Sequence, residues 1–105
     1  GLLVRACRTS TRYQLFALPN TTPPKPGLVR SPGEGGAAIE VEVWALNPRA
    51  FGEFVARVPA PLCIGSVELE DGARVSGFLC EPHVLGGARE ISSFGGWRAF
   101  RQTTT

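Results

Sequence analysis

The run Ile39-Glu40-Val41-Glu42-Val43-Trp44-Ala45-Leu46 alternates apolar with polar residues at its start, and a period of two commits it to a half-buried strand. Ile39, Val41 and Val43 share one face, while Glu40, Glu42 and Trp44 share the other. The period then changes without a linker. Asn47 offers a side-chain oxygen as an N-cap, Pro48 suits the first helical position, and Phe51, Phe54, Val55 and Val58 recur at three- and four-residue spacing. A strand that passes directly into an amphipathic helix restricts the chain to folds mixing both elements.

The flanking segments read as strands and turns. Tyr13 to Leu18 is a core strand that ends at Pro19-Asn20. From Thr21 to Gly27 three prolines forbid helix and remove donors that a central strand would need, so this is a stiffened loop. Ser31-Pro32-Gly33-Glu34-Gly35-Gly36 is a second loop. Ile64 to Glu70 and Arg74 to Glu81 flank Asp71-Gly72, a dipeptide that accepts the positive φ of a tight hairpin turn. Trp97 and Phe100, at helical spacing after Gly95-Gly96, mark a short packing segment. The fold class expected is α+β: a mostly antiparallel sheet with one main amphipathic helix.

At 105 residues the chain supports one core, so residues 1–105 are read as one domain. Eleven basic residues face nine acidic ones, for a net charge of +2, and the arginines (Arg12, Arg30, Arg49, Arg57, Arg74, Arg89) are scattered rather than striped. Nucleic acid is therefore not an expected partner. There is neither a long apolar run for a membrane span nor a secretion signal, which predicts a cytoplasmic protein with no membrane partner. Cys7, Cys63 and Cys80 have neither disulfide-framework nor zinc spacing and are expected to be small buried hydrophobes, with no metal site and no cofactor. Ten arginines against the single Lys25, with no methionine, suggest a GC-rich bacterial origin.

Several separated strings share a further property. Tyr13-Gln-Leu-Phe-Ala-Leu-Pro19, Thr21-Thr-Pro-Pro-Lys-Pro-Gly-Leu-Val-Arg30, Gly35 to Leu46, Phe51-Gly-Glu-Phe-Val55, Val58-Pro-Ala-Pro-Leu62, Gly77-Phe-Leu-Cys-Glu81 and Ile91-Ser-Ser-Phe-Gly-Gly-Trp-Arg98 together resemble allophanate hydrolase C-terminal domains, in the same order and over nearly the whole chain. The resemblance implies a fold like that of γ-glutamyl cyclotransferases, a twisted sheet or open barrel with helices beside it. It also implies a parent enzyme, expected to be a homo-oligomer, whose separate amidase domain releases ammonia from allophanate and leaves N-carboxycarbamate.

For the domain itself the resemblance leaves two roles open: decarboxylation of N-carboxycarbamate, or support of oligomer assembly and stability. The family pattern places a His, followed by small residues and Pro-Leu-Asn, upstream of the first strand read here. That segment is expected to be lacking from this chain, which would leave the fragment alone inactive. The acidic base of cyclotransferases has no counterpart between Val58 and Ile64, so cyclotransferase activity is not expected.

N-carboxycarbamate carries two carboxylate-like groups, and a site for it needs fixed cationic donors. Lys25, on its proline-stiffened loop, and Arg30 are the substrate-binding candidates, with solvated surface cations as the plain alternative. Glu40 and Glu42 leave the same strand face, and paired carboxylates are a means of holding a proton for the carbamate nitrogen; Glu40 is the catalytic candidate of the two. Tyr13 is a second catalytic candidate through its hydroxyl, although a strand-start tyrosine is commonly core. His83 stands alone, without a metal-ligand constellation. Phe94 and Trp97 read as an anchor of the C-terminal segment or a subunit contact, and Arg98 as a partner for Glu90 or for a neighbouring chain.

Overall fold

The computed structural model describes residues 1–103, with principal extents of 35 × 31 × 28 Å. Among the described residues, three antiparallel sheets make up the β structure. β1 (Leu2–Arg8) pairs with β4 (Glu40–Ala45); β2 (Tyr13–Ala17) pairs with β3 (Pro26–Arg30) and with the short β7 (Arg89–Glu90); β5 (Leu62–Glu68) pairs with β6 (Arg74–Cys80). Helix α1 (Pro48–Ala56) follows β4, and α2 (Trp97–Thr103) is the last described element.

Single bridges carry the chain from one ladder to the next. Thr9 bridges Leu69, and Ser10 N–H donates to Glu68 C=O at 2.9 Å, which sets β1 beside the end of β5. Tyr13 bridges Ala37 and ties β2 to the approach of β4. β3 lies against β6 at Gly27, where a Cβ would stand 2.9 Å from Cys80 Cβ, so only glycine permits that approach. The ladders thus enclose one core of Tyr13, Leu15, Ile39, Val67, Ile91 and Phe100. Phe94 packs edge-on against Phe100 at 5.2 Å and Trp97 lies 5.6 Å from it, so this aromatic cluster anchors the C-terminal segment, one of the two roles expected for it.

The expected α+β class and its antiparallel pairing are observed. Asn47 caps α1 through Oδ1, which accepts the Ala50 N–H at 2.8 Å, with Pro48 at the first helical position. The hairpin turn also forms as expected, with Gly72 at φ +89° and Asp71 Oδ1 accepting the Ala73 N–H at 3.0 Å. Three strands were not foreseen, the two-residue β7 among them. β1 starts with three consecutive apolar residues rather than an alternation, and all of Leu2 to Ala6 is exposed. β3 opens on Pro26-Gly27, which read as the end of a loop.

Two further expectations are corrected. The apolar stripe of α1 does not enter the core: no residue of the helix is buried, and Phe54 is 52% exposed, meeting Phe78 with ring centroids 5.4 Å apart. Of the cysteines, Cys80 is buried, but Cys7 is only half-buried and Cys63 is exposed. Burial pushes the Cys80 thiol up from its ordinary range, as expected of an unreactive packing residue.

Candidate functional site

The three sheets leave between them a large apolar groove of about 1080 Å³. Its floor carries core side chains such as Leu15, Ile39 and Val67, and its outer wall is Phe54 of α1 and Phe78 of β6. Two of the residues singled out from sequence, Lys25 and Glu40, line this same groove.

Lys25 sits on the loop before β3. Its backbone holds the loop shut: its N–H donates to Thr21 Oγ1 at 3.1 Å and its C=O accepts the Leu18 N–H at 3.0 Å. The side chain is half-buried and makes no ion pair among the described residues. Glu40 opens β4, and its N–H donates to Gly95 C=O at 2.8 Å. Its side chain lies over Gly95-Gly96, where a Cβ on Gly96 would come within 3.1 Å of Glu40 Cβ. The glycine pair before α2 therefore makes room for this carboxylate.

The other candidates are placed elsewhere. Glu42 also lines the groove, but its carboxylate accepts the Trp44 indole N–H at 3.2 Å and pairs with Arg98 at 3.8 Å, so it makes no pair with Glu40. Arg98 is thereby corrected from Glu90, which instead accepts from the Ser92 hydroxyl at 2.9 Å. Tyr13 is 1% exposed, and its hydroxyl accepts the Glu68 N–H at 2.8 Å. Tyr13 is outside the groove lining, in the core beneath it. Arg30 ends β3 and opens onto a separate recess with Arg12. His83 is exposed in the turn Pro82–Gly87, and among the described residues no group of His, Cys, Asp or Glu is arranged to hold a metal. No helix of the described residues is long and apolar enough to cross a membrane.

Sequence reasoning missed the groove's walls and also Glu68. The Glu68 carboxyl is held below its ordinary range, first by the neighbouring Ser10 hydroxyl and then by the guanidinium groups of Arg12 and Arg74, with Arg30 adding a smaller pull. A folded pKa below the unfolded one means that the ionised form favours folding. That contribution is complete above the ordinary value of 4.5 and is lost as pH falls through the lower folded value. Glu68→Gln is therefore expected to flatten the acid limb of a stability-against-pH curve, read as urea midpoints from neutral pH downward. Parallel curves for the two proteins would remove Glu68 from this role.

The allophanate hydrolase C-terminal domain family model matches residues 1–102. The urea amidolyase of Saccharomyces cerevisiae is 46% identical over 96 residues, which is 89% of this chain and 5% of that protein. The selenomethionine-substituted allophanate hydrolase of Kluyveromyces lactis superposes with a TM-score of 0.93 at 40% identity, covering 98% of this chain and 17% of that one. The crystal structure of c4763, described as a uropathogenic E. coli-specific protein, gives 0.86 at 35% identity, covering 99% of this chain and 79% of that one. The chain thus spans 5% of the length of the curated relatives it matches, and these come from yeasts, which lend no support to the expected bacterial origin. On a family match over nearly its entire length, the chain belongs to the allophanate hydrolase C-terminal domains.

Proposed function

We propose that this domain decarboxylates N-carboxycarbamate after an amidase domain of the same parent enzyme has deaminated allophanate, as a step of urea breakdown. The observation that carries the reading is that Lys25 and Glu40 line one predominantly apolar groove. In the reaction the bond between nitrogen and one carboxylate carbon breaks, its electron pair stays on nitrogen, nitrogen takes a proton, and CO₂ leaves with carbamate remaining. A doubly negative reactant becomes a singly negative product and a neutral gas. An apolar wall penalises the former more than the latter.

Lys25 holds the carboxylate that stays, and Glu40 delivers the proton to nitrogen. Tyr13 acts beneath the groove by holding β5 in place, and Arg30 falls outside it. The same reading takes the fold as γ-glutamyl cyclotransferase-like, supported by the way single bridges wrap three sheets around one core.

The test is ¹³C NMR of freshly generated N-carboxycarbamate in the presence of the full-length parent protein. Glu40→Gln is expected to slow CO₂ release about 10²-fold, the usual contribution of a general acid, with ammonia release and oligomer size unchanged. Unaltered CO₂ release in both Glu40→Gln and Lys25→Ala would overturn the assignment.

A second reading, assembly of the homo-oligomeric parent, is favoured by one observation: the aromatic surface of Trp44, Phe51, Phe54 and Phe78 stays exposed, with Trp44 and Phe54 each at 52%. Unaltered chemistry, together with a changed oligomer size once the domain is deleted, would leave assembly as the domain's role.

A further inference from the structure

Away from the groove, a recess of about 490 Å³ opens between Thr11-Arg12 and the loop Ser31 to Gly36. The β2–β3 ladder brings two guanidinium groups to it. Arg30 lies opposite Tyr13 in the register, and the Ser31 N–H donates to Arg12 C=O at 2.7 Å, so both Arg12 and Arg30 line the recess.

Charge around the recess is unbalanced. Arg12, Arg30 and Arg74 all act on the single carboxylate of Glu68. Arg74 takes it at 3.2 Å and Arg12 reaches it only at 3.9 Å, while Arg30 forms no ion pair among the described residues. Among the described residues, Glu34 is the only carboxylate in the recess wall itself.

The loop adds neutral donors. Among the described residues, the backbone N–H groups of Gly33, Glu34, Gly35 and Gly36 donate to no protein acceptor, and all four residues line the recess. Gly35, at φ +98°, takes a left-handed conformation of the kind from which backbone anion nests are built. Unspent amides beside surplus guanidinium groups are the kind of donors that an oxyanion takes.

We propose that this recess binds a small free oxyanion, a carboxylate or a phosphate, with Arg30 as its principal ligand, Arg12 as the second, and the amides of Gly33 to Gly36 completing the shell. The site is independent of the decarboxylation groove, and its failure would leave that reading untouched.

The test is titration of the protein with malonate and with inorganic phosphate at constant ionic strength, followed by ¹H–¹⁵N correlation spectra. Saturable shifts are expected at Ser31, Gly33, Gly35 and Gly36. Arg30→Ala should weaken the apparent affinity roughly tenfold, as loss of one charge-assisted bidentate contact would, and Arg30→Lys by less, because it keeps the charge but not the planar fork. Arg57→Ala, at the far end of α1, should change nothing. Saturation by malonate alone assigns a carboxylate ligand, and saturation by phosphate alone a phosphoryl one. Non-saturating drift with both anions, or an affinity that Arg30→Ala leaves intact, overturns the proposal.

Discussion

Replacing Tyr13 with alanine is expected to destabilise the fold by about 3–5 kcal/mol, the range for emptying an aromatic site in a packed core. Tyr13 is 1% exposed and packs with Leu15, Ile39, Val67, Ile91 and Phe100, so the void opens in the core that the sheets share. A second loss is polar. β5 turns its Glu68 N–H away from its β6 partner, and the Tyr13 hydroxyl accepts it at 2.8 Å. Tyr13→Phe keeps the ring and removes only that acceptor, and an unsatisfied backbone donor costs about 1–3 kcal/mol. Urea unfolding of the two variants separates the terms. A Tyr13→Phe protein as stable as the parent would show the hydroxyl to be dispensable, and a Tyr13→Ala loss below about 2 kcal/mol would contradict the core assignment.

Local chemistry made parts of this fold legible in advance. Asn47-Pro48 and Asp71-Gly72 specify a cap and a turn through their own atoms, and both appear where the residues stand. Burial was less legible, because periodicity says which side chains share a face but not what that face meets. The α1 stripe has the spacing of a core helix, yet Phe51 and Phe54 remain exposed, since the ladders already fill the core with residues from six other segments. β1 escaped notice for a related reason: paired to β4 over an exposed stretch, it has no buried face to impose an alternation.

The candidate site was legible in residue type and not in grouping. Lys25 and Glu40 lie fifteen positions apart and line the same groove, whereas Lys25 and Arg30, five apart on one loop and strand, open onto different cavities. The difference follows from strand direction: β3 runs from the groove at Pro26 to the recess at Arg30, and five extended residues cover roughly 17 Å. Glu42 shows the same limit. Its side chain shares a face with Glu40, but Arg98, from a helix more than fifty residues later, takes its carboxylate.

The same chemical change at two glycines is expected to act in opposite directions. A Cβ on Gly36 would stand 2.5 Å from the Thr11 carbonyl oxygen, 2.8 Å from the Tyr13 nitrogen and 2.9 Å from the Arg12 carbonyl carbon. All three are backbone atoms of the turn into β2, so no flexible side chain can give way. Gly36→Ala must push the loop off that turn, which strains the adjacent Ala37 N–H to Tyr13 C=O bond of 2.7 Å and, behind it, the Thr9 hydroxyl's acceptance of the Ile39 N–H at 3.0 Å. Overpacking of this kind costs about 3 kcal/mol. Gly52, inside α1, would place its Cβ in open space, with nothing within 4 Å. There alanine only removes backbone freedom from the unfolded chain, so Gly52→Ala is expected to stabilise by roughly 0.5–1 kcal/mol. Thermal melts read the contrast directly, since for a domain of this size each kcal/mol moves the midpoint by about 4–8 °C. Equal shifts for both variants would mean that helix propensity and loop contact do not govern these positions, and a neutral Gly36→Ala would show that the loop can leave β2 without cost.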